Sequence, residues 1–211
     1  MRNAVPLLSL LETRVLGTLV EKQHTVPDTY PLSLNALVAG CNQKTSRSPV
    51  MEATQAEVQH ALDSLKSANF VMETSGNRVS RYSHNLGRVL QVPSQSEALL
   101  TSLMLRGPQT VGELRISCER LHAFSDISAA EGFLNELAAR PAGALVVLLA
   151  RQPGARESRW AHLLSGEPAV EALAAAHEAP ADDSLKARVE RLEAEVAELR
   201  EKIGSLVNRL T

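Results

Sequence analysis

Aromatic side chains are scarce in this 211-residue chain: three Phe, two Tyr and one Trp. Platforms for single-stranded nucleic acid are built from such rings, so the shortage argues against a single-strand binder of that type. The core must come mostly from Leu, Val and Ala. Two cysteines, Cys41 and Cys118, are too few for a disulfide framework and are not spaced for a zinc site. A reducing cytoplasm is the expected location. No apolar run reaches the roughly 18 residues of a membrane span, so no membrane partner is expected. The opening MRNAVPLLSLLETR meets an acidic residue after a short apolar run and has no small-residue cleavage site. It reads as mature protein, not as a signal peptide.

A strong charge of one sign is missing as well. The formal net charge is −2. Residues 1–95 hold nine Lys/Arg against seven Asp/Glu, residues 96–164 seven of each, and residues 165–211 six against ten. A strongly basic nucleic-acid binder looks different, so any contact with DNA must use a local basic surface.

What the chain does have is a series of helix starts. Ser or Thr followed three residues later by Glu forms a capping box, in which hydroxyl and carboxylate each bond the other's backbone N–H. The pattern occurs at Ser9–Glu12, Thr54–Glu57, Ser94–Glu97, Thr110–Glu113 and Ser128–Glu131. Apolar residues follow each at helical spacing, as in Leu11, Val15, Leu16 and Leu19, or Val58, Ala61, Leu62 and Leu65. A further helix is predicted over 33–41, after a loop containing Pro27 and Pro31. Two hairpins are predicted: 70–74 with 78–82, and 144–150 with 158–163, each turning through Gly.

The element order is helix, helix, helix, hairpin, and then the same again. Three helices with a two-stranded wing make a winged-helix unit, a relative of helix-turn-helix. The fold class is therefore mainly α with small β-hairpins: winged-helix domains at 1–90 and 91–166, a linker at 167–184, and a C-terminal helix at 185–211. The repeat is one of element order and cap placement, not of residue identity. In the last segment Val189, Val196, Ile203 and Leu210 fall seven apart, as do Leu185, Leu192, Leu199 and Leu206. Mostly β-branched residues at a and Leu at d favour a parallel two-stranded coiled coil. Arg188 and Glu195 at g would meet Glu193 and Arg200 at e of the partner. The alternative is one amphipathic helix folded back on the body, which would show a wider apolar stripe.

The stretch EKQHTVPDTYPLSLNALVAGCNQKTSRSPVM from Glu21 resembles the YceH family of proteobacterial proteins. So do GNRVSRY from Gly76, LRGPQTVGELR from Leu105 and ARQPGARESRWAHLLSG from Ala150. Together they cover most of residues 9–166. The resemblance implies tandem winged-helix domains. It implies no biochemical role and no catalytic or ligand residues, because that family is itself uncharacterised.

Three functional classes can be weighed. In a winged helix the third helix usually reads the major groove while the wing touches phosphate or minor groove. Here the two reading helices, about 55–67 and 129–140, each carry a net charge of −1. Gln55, Gln59 and His60 could still read base edges. The cations lie elsewhere: Lys44 and Arg47 in a polar loop, Arg78 and Arg81 on the first wing, Arg151, Arg156 and Arg159 on the second, Arg115 and Arg120 on the second domain's middle helix. For each arginine, a solvated or salt-bridged surface role is the competing reading. The Lys44–Arg47 loop shows no packing reason for its polarity, which favours function. Replacing both cations would then flatten the salt dependence of binding by about two units.

A protein-interaction scaffold without DNA affinity is the alternative, since fold alone does not decide. Neutral to acidic reading helices suit it. An enzyme is the third class. Cys41 would need a lowered pKa to act as a nucleophile, and a small buried residue is the simpler reading. His122, Ser125 and Asp126 are neighbours in sequence, which is not triad geometry, and Ser125 and Asp126 suit a helix cap. Trp160 and His162 read as ordinary packing and surface residues. The expectation is a non-enzymatic homodimer that binds duplex DNA as a transcriptional regulator, with no metal and no cofactor.

Overall fold

The computed structural model describes residues 6–75, 79–152 and 154–168. The eight heptad positions from Leu185 to Leu210, the linker beyond Pro168, and Arg78 lie outside the described residues.

Three of the five expected capping boxes form. Ser9 with Glu12 opens α1 (Leu10–Thr25), Thr54 with Glu57 opens α3 (Gln55–Ser67), and Thr110 with Glu113 opens α6 (Val111–Ser117). Ser33 caps α2 (Leu34–Cys41). The other two starts differ. The helix α5 (Ser94–Arg106) begins after Pro93, which has no side chain to cap with. Its Glu97 bonds the backbone of Gly87 instead. The helix α7 (Ile127–Ala138) is capped by Asp126, whose carboxylate accepts from the Ala129 N–H at 2.7 Å. A carboxylate is the stronger acceptor, and it displaces Ser128 from the capping position. A short helix α4 (Leu86–Leu90) was not predicted.

Each half adds a hairpin. The first is β2 (Val71–Ser75) against β3 (Ser80–His84), with a two-residue strand β1 (Leu32–Ser33) completing the sheet in the order β1-β3-β2. The second is β4 (Val146–Leu148) against β5 (Trp160–His162). The counterpart of β1 shrinks to a single bridge between Gln109 and Trp160. The sequence of helix, strand or bridge, helix, helix, hairpin therefore runs twice, in agreement with the winged-helix reading.

The parallel extends to a few strand-pair and buried positions. Leu32 faces Tyr82 as Gln109 faces Trp160. Val71 faces His84 as Val146 faces His162. Cys41 ends α2, and Cys118 caps the end of α6; both are buried. The Phe70 N–H donates to the Leu65 carbonyl as the Leu145 N–H donates to that of Leu137.

The halves pack through their first helices. Every residue from Thr13 to Val20 in α1 is buried, as is every residue from Ala98 to Leu105 in α5. A helix covered on all sides belongs to the centre of a core, not to its surface. Gly17 permits the approach, because a Cβ there would lie 3.0 Å from the Leu105 side chain. The described residues form one compact unit around a shared hydrophobic core. No described helix is long and apolar enough to cross a membrane.

Candidate nucleic-acid interface

The loop after α2 was expected to hold phosphates, and its structure gives that polarity another origin. The last carbonyls of a helix have no partner within it. At the end of α2, Arg47 Nε donates to the Gly40 carbonyl at 3.1 Å, and Arg14 Nη1 donates to that of Cys41 at 3.2 Å. Both guanidiniums also sit at the negative end of the helix dipole. Arg14 reaches on to the Pro49 carbonyl at 2.7 Å. Arg47 places Nη1 and Nη2 on the two carboxylate oxygens of Glu21, at 3.1 and 2.6 Å, and Nη2 also on Gln43 at 2.9 Å. The Asn42 side chain bonds both the N–H and the carbonyl of Ala53 at 2.8 Å.

Arg47 is therefore withdrawn from the phosphate-binding set. Its side chain is 0% exposed and its fork is fully engaged. Of the two loop cations only Lys44 is exposed. Burial pushes the Glu21 carboxyl up, but the hydrogen bonds and charge of Arg47 outweigh it and hold the group below its ordinary value. Glu21 is the partner that sequence reasoning missed. It lies 26 residues away from Arg47 in the chain, beyond any local spacing rule.

On α3 the expected base readers separate. Gln55 and His60 are exposed. Gln59 is held at both ends of its amide: Nε2 donates to Asp63 at 3.1 Å and Oε1 accepts from the Tyr82 hydroxyl at 3.3 Å. Lys66, the helix's one Lys or Arg, pairs with Asp63 at 2.9 Å and with Glu73 on β2 at 2.7 Å. Arg81 on β3 is exposed and donates to the Pro31 carbonyl at 2.8 Å.

The second half keeps more charge without a counter-ion. Arg159 forms a two-point pair with Glu113, at 2.9 and 3.0 Å, and donates to the Pro108 carbonyl. This pins β5 to the start of α6. Arg151 and Arg156, between β4 and β5, are exposed, as are Arg115 on α6 and Arg120 beyond its end. None of the four joins an ion pair among the described residues. Arg115 makes a long contact, 3.5 Å, to the Ser125 carbonyl. Exposed Arg88 on α4 and Arg106 at the end of α5 were not singled out from sequence. Arg106 donates to the Ser46 hydroxyl at 2.9 Å.

The thiols are not prepared for chemistry. Burial raises Cys41 to about 11 and Cys118 to about 12. An attacking thiol needs the opposite shift. His162 is half-buried: burial pushes it down to about 4, and its buried Nδ1 has no hydrogen-bond partner among the described residues.

Residues 8–155 match a family described as a protein of unknown function, DUF480. A UPF0502 protein of Dechloromonas aromatica is 65% identical over 204 residues, covering 95% of this chain and 96% of the relative. One from Methylibium petroleiphilum is 58% identical over 202 residues, 92% and 86% of the two chains. One from Burkholderia thailandensis is 56% identical over 216 residues, 99% and 92% of the two chains. The chain belongs to this DUF480/UPF0502 family of uncharacterised proteins.

Proposed function

We propose, with that family membership as premise, that the protein is a homodimeric duplex-DNA-binding regulator of transcription in the cytoplasm, and not an enzyme. Residues 1–90 and 91–166 serve as winged domains, 167–184 as the linker, and 185–211 as the coiled coil that joins two copies. Pairing would double the contact set and raise affinity through effective concentration.

The observation that carries the reading is the exposed arginine pair of the second hairpin, Arg151 and Arg156, without carboxylate partners among the described residues. Arg115 on α6 and Lys44 in the first half add further cations. Docking by hairpin and backbone contacts suits this distribution better than insertion of a reading helix. The only Lys or Arg of α3 is already paired, and α7 has none. Phosphate contacts give affinity and a salt slope; base contacts give sequence choice.

Selection of the full-length protein against a random duplex pool tests this. The expected result is an enriched motif with two half-sites. Arg151→Ala with Arg156→Ala should flatten the salt slope by about two units, and Lys44→Ala by about one. No enrichment, with an unchanged slope in the double variant, overturns the reading. The second reading, an interaction scaffold without DNA affinity, is favoured by the acidic face of α3.

A further inference from the structure

A groove of about 550 Å³ runs between the start of α1 and the first turns of α3. Leu11, Ala56 and Ala61 supply its apolar lining, and Glu12, Glu57 and His60 its polar part. The charge of its polar edge has the wrong sign for phosphate.

Both glutamates are held in place by their capping boxes. Glu12 accepts from the Ser9 N–H at 2.6 Å, and Glu57 from the Thr54 N–H at 2.7 Å. Burial opposes ionisation of Glu12, but hydrogen bonds from Ser64 and Ser9 outweigh it and keep its carboxyl low. The Thr54 hydrogen bonds do the same for Glu57. Asp63 and Glu73 share Lys66 on the same helix face and wing, so no Lys or Arg of α3 is left to offset the two glutamates. The result is an apolar floor beside two fixed anions, complementary to an apolar side chain flanked by cations.

We propose that this groove docks a partner protein through a short segment carrying leucine-like side chains flanked by Lys or Arg. The first winged unit thereby serves protein recognition, and the proposal does not depend on whether the second hairpin binds DNA. Apolar burial supplies affinity, and the glutamates supply selection and rate of encounter.

Gln can replace Glu in a capping box without losing the hydrogen bond. Glu12→Gln with Glu57→Gln therefore removes charge while keeping both helix starts. The probe is a labelled peptide of about 14 residues, four helical turns, built from Leu and Lys; its twin carries Glu in place of Lys. Binding to the full-length protein is followed by anisotropy and by methyl NMR of Leu11, Ala56 and Ala61. The expected result is binding of the Leu/Lys peptide only, shifts at those methyls, and about tenfold weaker binding to the Gln variant. Ala56→Arg, at an exposed position, should abolish binding without unfolding the protein. Equal binding of both peptides, shifts elsewhere, or unchanged affinity in either variant overturns the proposal.

Discussion

In the first half, Arg47 and Lys66 each sit against carboxylates, and Glu12 and Glu57 edge an apolar groove. In the second half, among the described residues, only Arg159 is ion-paired, while Arg115, Arg120, Arg151 and Arg156 remain exposed. Corresponding positions carry similar residues: Cys41 and Cys118, His84 and His162, Tyr82 and Trp160. The comparison separates two kinds of constraint. Positions that fill the core recur in both halves, because close packing constrains them. Surface positions carry no such requirement, and charge there diverges.

The sharpest way to break this comparison is at Arg47. If it is structural, Arg47→Ala should lose about 1–3 kcal/mol of stability in denaturant titration, because the Gly40 carbonyl loses its donor and half-buried Glu21 keeps only Lys22. A Lys44→Ala control should leave stability unchanged. The same pair makes stability pH-dependent. The Glu21 pKa is depressed in the folded state, so its contribution is present above its ordinary value of 4.5 and lost as pH falls below it. Arg47→Ala should shrink that component to what Lys22 still supplies. A variant of wild-type stability that no longer binds DNA would return Arg47 to the phosphate set.

The histidines sharpen the comparison. Burial holds both His84 and His162 at about 4, with the charge of His24 adding to the effect on His84. Unfolded histidine titrates near 6.5, so the unfolded chain binds more protons below that pH. Stability is complete above about 6.5 and declines as pH falls toward 4, by about 1.4 kcal/mol per unit of pKa difference at most. The two sites differ in their partners. His84 bonds Gln23 through Nε2 and accepts from the Leu86 N–H at Nδ1, whereas His162 Nδ1 is unpaired among the described residues. His162→Phe should therefore remove its share of the acid sensitivity at little cost at neutral pH. His84→Phe should be clearly destabilised at every pH. Equal losses at pH 7, read from thermal midpoints, would show that the two sites are alike after all.

The smallest expected effect separates the helix starts. Thr110 accepts from the Glu113 N–H at 3.2 Å, so Thr110→Ala should cost about 1 kcal/mol. Ser94 lies inside its helix behind Pro93 and makes no capping bond. Ser94→Ala should be close to neutral. A full-sized loss at Ser94 would mean that α5 starts as its sequence suggests.

Much of the fold was legible because its signals are local. A hydroxyl three residues before a glutamate, apolar spacing and Gly-containing turns placed the helices of both halves and both hairpins. The two-residue β1 and the five-residue α4 were invisible, since neither is long enough to show a period. The candidate interface was read less well. Gln59 and Arg159 looked like surface donors until Asp63, Tyr82 and Glu113 stood beside them.

The sequence by itself determined the order of the longer elements, most helix starts, the scarcity of aromatics and the family, since each is carried by neighbours in the chain. Only the tertiary structure decided which cations are at work inside the protein and which face outward. Arg47 and Glu21 meet across 26 residues, and Arg159 and Glu113 across 46. A charge is neutralised by whatever lies within a few ångströms of it, and chain packing, not sequence spacing, sets that distance.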